Sequence, residues 1–145
     1  MATSTPTPPA GGVRTRLDSG TLVRRGLVAA LLALVLTVVA RFVAVALDST
    51  LAGVEQFGWV PIVAVTLVAS VGATLVYATL DRLTERPARW FLVAAALVFL
   101  FMLAPLTLGA GDLGLPTNAQ LGLGALHLTA AVGIVVGLLG VGSAD

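Results

Sequence analysis

Four long apolar stretches follow one another along the chain, at residues 26–47, 58–80, 90–108 and 119–141, each closed by a short polar break. Each is close to the roughly 20 residues that carry a helix across ~30 Å of hydrocarbon at ~1.5 Å per residue. A soluble helix of this length would show an apolar stripe and a charged opposite face. None of the four does, and Arg41 is the only charged side chain inside any of them. The pattern predicts an all-α polytopic membrane protein, a four-transmembrane-helix bundle spanning residues 24–141. The preceding residues, 1–23, read as a tail. Its start is rich in Thr, Pro and Gly without apolar periodicity, the composition of a disordered segment, and Ser19-Gly20-Thr21 offers a helix start. Residues 142–145 form a C-terminal stub.

Local signals sharpen the boundaries. Pro61 falls in the first turn of the second span, where a missing N–H costs little. Thr117 followed by Gln120 has the spacing of a capping box at the start of the fourth. Pro105, near the end of the third, is expected to kink or end that helix. A cleaved signal peptide is a poor reading of the first span, because its apolar run exceeds the ~7–15 residues of such a segment and Arg41 interrupts it. A faint internal repeat aligns Arg25, Arg41 and Asp48 with Arg89, Pro105 and Asp112, as in a parallel duplication of two helices.

Charge then gives the topology. Arg14, Arg16, Arg24 and Arg25 precede the first span, and Arg82, Arg86 and Arg89 lie between the second and third. The other two breaks carry Asp48, Glu55 and Asp112 instead. Arginine in short flanks marks the cytoplasmic side, so both termini are expected there, in a multi-pass protein of the plasma membrane. Trp59 falls at the outer interface, and Tyr77 and Trp90 at the inner one.

Composition narrows the chemistry. Hydrophobic residues make up 58% of the chain and charged residues 10%, against about 25% charged in a typical soluble domain. A net charge of +1 offers no bulk attraction for nucleic acid. Cysteine is absent, which removes disulfides, thiolate metal sites and thiol nucleophiles. The single histidine, His127, excludes any site that needs two imidazoles from one chain. No spans hold Asp or Glu, and no Walker, Rossmann or metal motif is present. No metal or cofactor is therefore expected.

In lipid, helices associate through small residues and polar contacts rather than by hiding from water. The first span carries such a stripe in Ala30, Ala33, Thr37, Arg41, Ala44 and Asp48. The second carries Thr66, Ser70, Ala73, Tyr77 and Asp81, and the fourth Ala130, Gly133, Gly137 and Gly140. The three glycines are expected to pack helices, inside the monomer or in a homo-oligomer. The third span is almost uniformly Leu, Val, Ala and Phe, and is expected to be the most lipid-exposed.

Two residues stand out as carriers of chemistry. Arg41 lies ~9 Å from the outer end of its span, and an arginine at mid-helix costs at least ~2.5 kcal/mol. Three readings answer that cost: snorkelling to headgroups or to Asp48, a structural bond to Thr66 or a carbonyl, or a bound ligand or ion. His127 lies ~12 Å deep, entering from the same side. Arg41, Thr66, Ser70 and His127 are thus expected to meet as a polar cluster in the outer half. The plainer reading of His127 is a neutral ring bonded to a neighbouring helix.

Leu22-Val23-Arg24-Arg25-Gly26-Leu27, the break Asp81-Arg82-Leu83-Thr84-Glu85-Arg86-Pro87 and Leu126-His127-Leu128 together resemble a family of small uncharacterised four-helix membrane proteins of actinobacteria and haloarchaea. The resemblance implies the fold and adds no catalytic residue, since that family has no established activity. The leading expectation is a structural, interaction or accessory membrane subunit with the bilayer and a membrane protein or second copy as partners. A small-molecule or lipid-binding module built on the Arg41–His127 cluster comes second, an oligomeric transporter or channel third, and an enzyme last.

Overall fold

The computed structural model describes residues 16–108 and 114–140. Four helices account for nearly all of them: α1 (Ser19–Leu47), α2 (Trp59–Leu83), α3 (Pro87–Leu108) and α4 (Thr117–Leu139). All four are long and apolar enough to cross a membrane, and no strand occurs among the described residues. The protein is a four-helix transmembrane bundle. Two short 3-10 turns, Ser49–Gly53 and Glu55–Phe57, connect α1 to α2. The bundle thus has a connection end, where these turns meet the start of α4, and an arginine end, where α1 begins and α2 passes to α3.

Each helix starts and stops for a local reason. Asp18 caps α1 by accepting from Thr21 N at 3.0 Å and Thr21 Oγ1 at 2.5 Å, which satisfies one of the amides a helix start leaves unpaired. Helix α1 therefore begins well before the apolar run, and Ser19–Val23 is helix rather than tail. The expected disorder of the earlier tail falls on residues outside those described, as do Asp112 and the C-terminal stub. Helix α4 has no side-chain cap. The capping-box expectation fails because Gln120 Nε2 instead donates to Leu115 O at 2.7 Å, outside the helix. The chain leaves α4 at Gly140, whose φ of 68° is the left-handed conformation that ends many helices. Arg25 Nη1 reaches Leu138 O at 3.4 Å, placing a cation on the carbonyls exposed at that terminus. Helix α3 runs on through Pro105 to Leu108. Pro105 does not end it, because so near the terminus the ring costs only the bond to the Phe101 carbonyl.

Packing runs chiefly along α1 and α4, with α2 beside α1 and α3 joining α2 to α4. Helix α3 is the least buried of the four, as its uniform composition suggested. The α1–α4 seam is set by small residues. A Cβ on Gly133 would lie 2.5 Å from Ala33 Cα, and one on Gly137 would lie 2.6 Å from Ala29 N. Backbone therefore meets backbone, the close approach that lets apolar helices associate in lipid. The starts of α1 and α3 and those of α2 and α4 are separated by different lengths of chain, so no single offset relates the two halves.

The buried side chains form two clusters. Leu22, Ala29, Ala33, Tyr77, Phe91, Ile134 and Leu138 fill the arginine half. Leu51, Phe57, Ile62, Ala119, Leu123 and Leu126 fill the connection half. Tyr77, expected as an interfacial anchor, is in the core: its ring meets Phe91 edge-on at 5.3 Å and it is 4% exposed. Its place on the buried stripe of α2 outweighs the preference of tyrosine for a wet boundary. Along α1, α2 and α4, the positions between the two clusters are Thr37, Thr66, Ser70 and His127.

Candidate functional site

Arg41 leaves this middle layer. Its Nε donates to Phe57 O at 2.7 Å, and its guanidinium lies 4.1 Å from the centroid of the Trp59 ring. Phe42, the next residue, meets the same indole edge-on at 5.7 Å. A buried turn carbonyl and an aromatic face together replace water around the cation. Asp48 is occupied elsewhere: it accepts from Thr50 N, Thr50 Oγ1 and Asn118 Nδ2. These bonds hold the Asp48 carboxyl below its ordinary pKa, the Thr50 hydroxyl contributing most. Asp48 thereby ties the end of α1 to the start of α4.

The remaining members of the expected cluster stay together, with different duties. Ser70 is buried and donates to Thr66 O at 2.7 Å, within its own helix. Thr66 and His127 line a cavity of about 550 Å³ between α2, α3 and α4, with Thr37 of α1 also on its wall. The void arises because small residues face one another: Ala69, Gly72 and Ala73 on α2, Ala94 and Ala95 on α3, Ala130 and Ala131 on α4. Larger side chains, among them Phe91, Phe99 and Met102, also line it. Val65, Val76, Val98 and Met102 line it and are also exposed, so it is continuous with the lipid-facing surface. Its size falls in the roughly 300–1,000 Å³ range of ligand pockets, which are mostly apolar with a few placed polar groups.

The polar groups at the cavity are few and specific. His127 Nδ1 lies 2.7 Å from Leu123 O. A carbonyl only accepts, so Nδ1 carries the proton, and in the neutral ring Nε2 presents a lone pair. Thr37 is 3% exposed, and its hydroxyl has no hydrogen-bond partner. In the sequence Thr37 falls on the packing stripe of α1, with nothing to mark it as a site residue. Nothing in one sequence says that a helical threonine will forgo its usual bond to a carbonyl of the preceding turn.

The glycines of α4 take different positions. Gly133 and Gly137 are buried against α1, whereas Gly140 forms the cap beyond the helix. A second hollow, of about 510 Å³, lies between α3 and α4 and is lined by Phe99, Leu103, Thr117 and Gln120. Its best polar group, the Gln120 amide, is already bonded to Leu115 O. No group of three or more His, Cys, Asp or Glu side chains comes together among the described residues.

Residues 17–144 match the Family of unknown function (DUF6069). The chain belongs to this family. No curated protein and no solved structure matches it. The matched region takes in all four helices, and the family carries no assigned activity.

Proposed function

We propose that this DUF6069 chain is a membrane-embedded binding module whose cavity between α2, α3 and α4 takes a lipophilic small molecule from the bilayer. One observation carries this reading: an apolar void of about 550 Å³, reachable from lipid, with a histidine and an unbonded buried threonine on its wall. A bundle serving only as a scaffold gains nothing from such a void, since every lining atom forgoes contacts it would make in a packed core. Arg41 lies outside the binding part in this reading and locks the α1–α2 connection to α1. The arginines at one end of the bundle support cytoplasmic termini. The proposal assigns binding and no covalent chemistry.

The test is ligand-dependent thermal unfolding of the purified protein, followed by tryptophan fluorescence, against fractionated lipid extract of the membranes in which it is expressed. At least one fraction is expected to raise the midpoint by several degrees. Ala95→Phe, which places a ring in the void, is expected to abolish that shift while leaving the unliganded midpoint close to wild type. If no fraction shifts the wild-type midpoint, the binding reading falls and a purely structural role takes its place.

A further inference from the structure

Away from the cavity, we propose that the Arg41 guanidinium holds the phosphate of a phospholipid headgroup at the connection end of the bundle. The inference is independent of the cavity reading, because Arg41 is not on the cavity wall. Arg41 lies six residues from the end of α1, ~9 Å inside that terminus at helical rise. It is the only arginine between Arg25 and Arg82, none follows Arg89, and the chain has no lysine.

The protein leaves this cation unneutralised. Nε donates to Phe57 O at 2.7 Å, and the guanidinium carbon lies 4.1 Å from the centroid of the Trp59 ring. Both partners are neutral. Asp48, the nearest acid along α1, is spent on Thr50 and Asn118, and among the described residues no carboxylate bonds Arg41. A charge at the edge of hydrocarbon is costly until a counter-charge reaches it. The same two contacts fix what remains to be bound. A snorkelling arginine keeps a mobile end that follows the headgroups. Here Nε is tied to the carbonyl of Phe57, which is 0% exposed, and an indole covers one face of the plane. The two Nη groups are left, held as a planar fork that matches a pair of oxyanion oxygens.

The surroundings favour a lipid as the source of that oxyanion. Trp59 and Phe42 are 47% and 58% exposed and meet edge-on at 5.7 Å. Half-buried Arg41 therefore opens on the lipid-facing surface, beside an indole of the kind that sits among headgroups. Each leaflet supplies phosphodiesters at that depth. A free anion offers nothing to the two rings, whereas a phospholipid lays its chains against them.

The chain has two tryptophans, so Trp90→Phe leaves Trp59, beside the guanidinium, as the reporter. This full-length variant in detergent is titrated with phosphatidylglycerol and with diacylglycerol, both brominated on the chains near the glycerol, and quenching of Trp59 is measured. The phospholipid is expected to quench at a roughly tenfold lower mole fraction, the worth of about one charge-assisted hydrogen bond. Arg41→Gln is expected to make the two lipids equal. Arg41→Lys keeps the charge and loses the fork, and is expected to leave a roughly threefold difference. The contrast with Arg41 in place decides the matter even where Arg41→Gln does not fold. Millimolar inorganic phosphate is expected to leave the quenching unchanged. Equal quenching by the two lipids with Arg41 in place overturns the site. Displacement of the lipid by inorganic phosphate gives the fork to a free anion and overturns the lipid assignment. Neither outcome touches the cavity, which is tested by the shift in unfolding midpoint.

Discussion

The α1–α4 seam and the α2–α3–α4 cavity are built from the same residue types and come out opposite. On the seam, Gly133 and Gly137 face Ala33 and Ala29, so the backbones touch and no space is left. Around the cavity, alanines face alanines across three helices, and the backbones stay apart. Two helices can close on a small-residue stripe by moving together. Three cannot all do so, because bulky Phe91, Phe99 and Ile134 in the same grouping hold them apart. Small residues therefore drive contact or leave a void according to how many helices share them.

The seam is where the comparison breaks most sharply. Gly137→Leu forces a side chain into the Ala29 backbone, and a loss of about 3 kcal/mol is expected, the upper part of the range for overpacking. Unfolding in mixed micelles with increasing denaturing detergent measures it. Gly72→Leu is the contrast on the cavity side: nothing lies within 4 Å of a Cβ added there, and a change under about 1 kcal/mol is expected. If the two glycines cost the same, the distinction between a dry seam and an open cavity is wrong.

Thr37→Val sharpens the comparison from the other direction. Removing an unbonded buried hydroxyl deletes an unmet demand, so the unliganded protein is expected to gain about 1 kcal/mol. A loss of stability would mean that the hydroxyl has a partner in solution and that the apparent vacancy is a structural bond.

Much of this was legible from the hydropathy pattern. In hydrocarbon every backbone amide must be paired within its own segment, so four apolar runs of membrane length leave little choice but four helices. The stripe on α2 was also legible: Thr66, Ser70, Tyr77 and Asp81 are all buried. The α1 stripe was read one position off at its start, with Ala29 rather than Ala30 on the seam. The register there is chosen by the glycines of α4, which a single helix cannot reveal. Arg41 could not be placed because its partner is a backbone carbonyl, Phe57 O, and main chain has no sequence signature. Asp81, the last residue of that stripe, is 2% exposed and accepts from Leu17 N at 3.0 Å, a main-chain partner with no sequence signature. It fastens the lead-in to α1 across the arginine end. The cavity was invisible for a related reason, since it depends on the spacing of three helices.

The smallest expected effect tests whether the two ends of α1 belong to the seam. Asp18 and Asp48 are both held below the ordinary carboxylate pKa by hydrogen bonds, chiefly from the Thr21 and Thr50 hydroxyls. A carboxyl whose pKa is lower folded than unfolded lends stability that is fully present above the unfolded value. That stability disappears as pH falls through the folded one. Between pH 7 and pH 5 these two groups should therefore contribute a flat profile, with a shallow decline that sets in as pH falls into the ordinary carboxylate range and is complete below the folded values. Asp18 is exposed and Asp48 half-buried at the end of the bundle, so solvent screening keeps the decline small. Asp48→Asn should remove part of it, because the amide no longer changes charge, and should loosen the Asn118 contact that joins α1 to α4. Binding of a cavity ligand should show no matching decline, because neither carboxylate lines the void. A ligand affinity that fell in step with the acid limb would tie the cavity to the seam and make the two regions one cooperative unit.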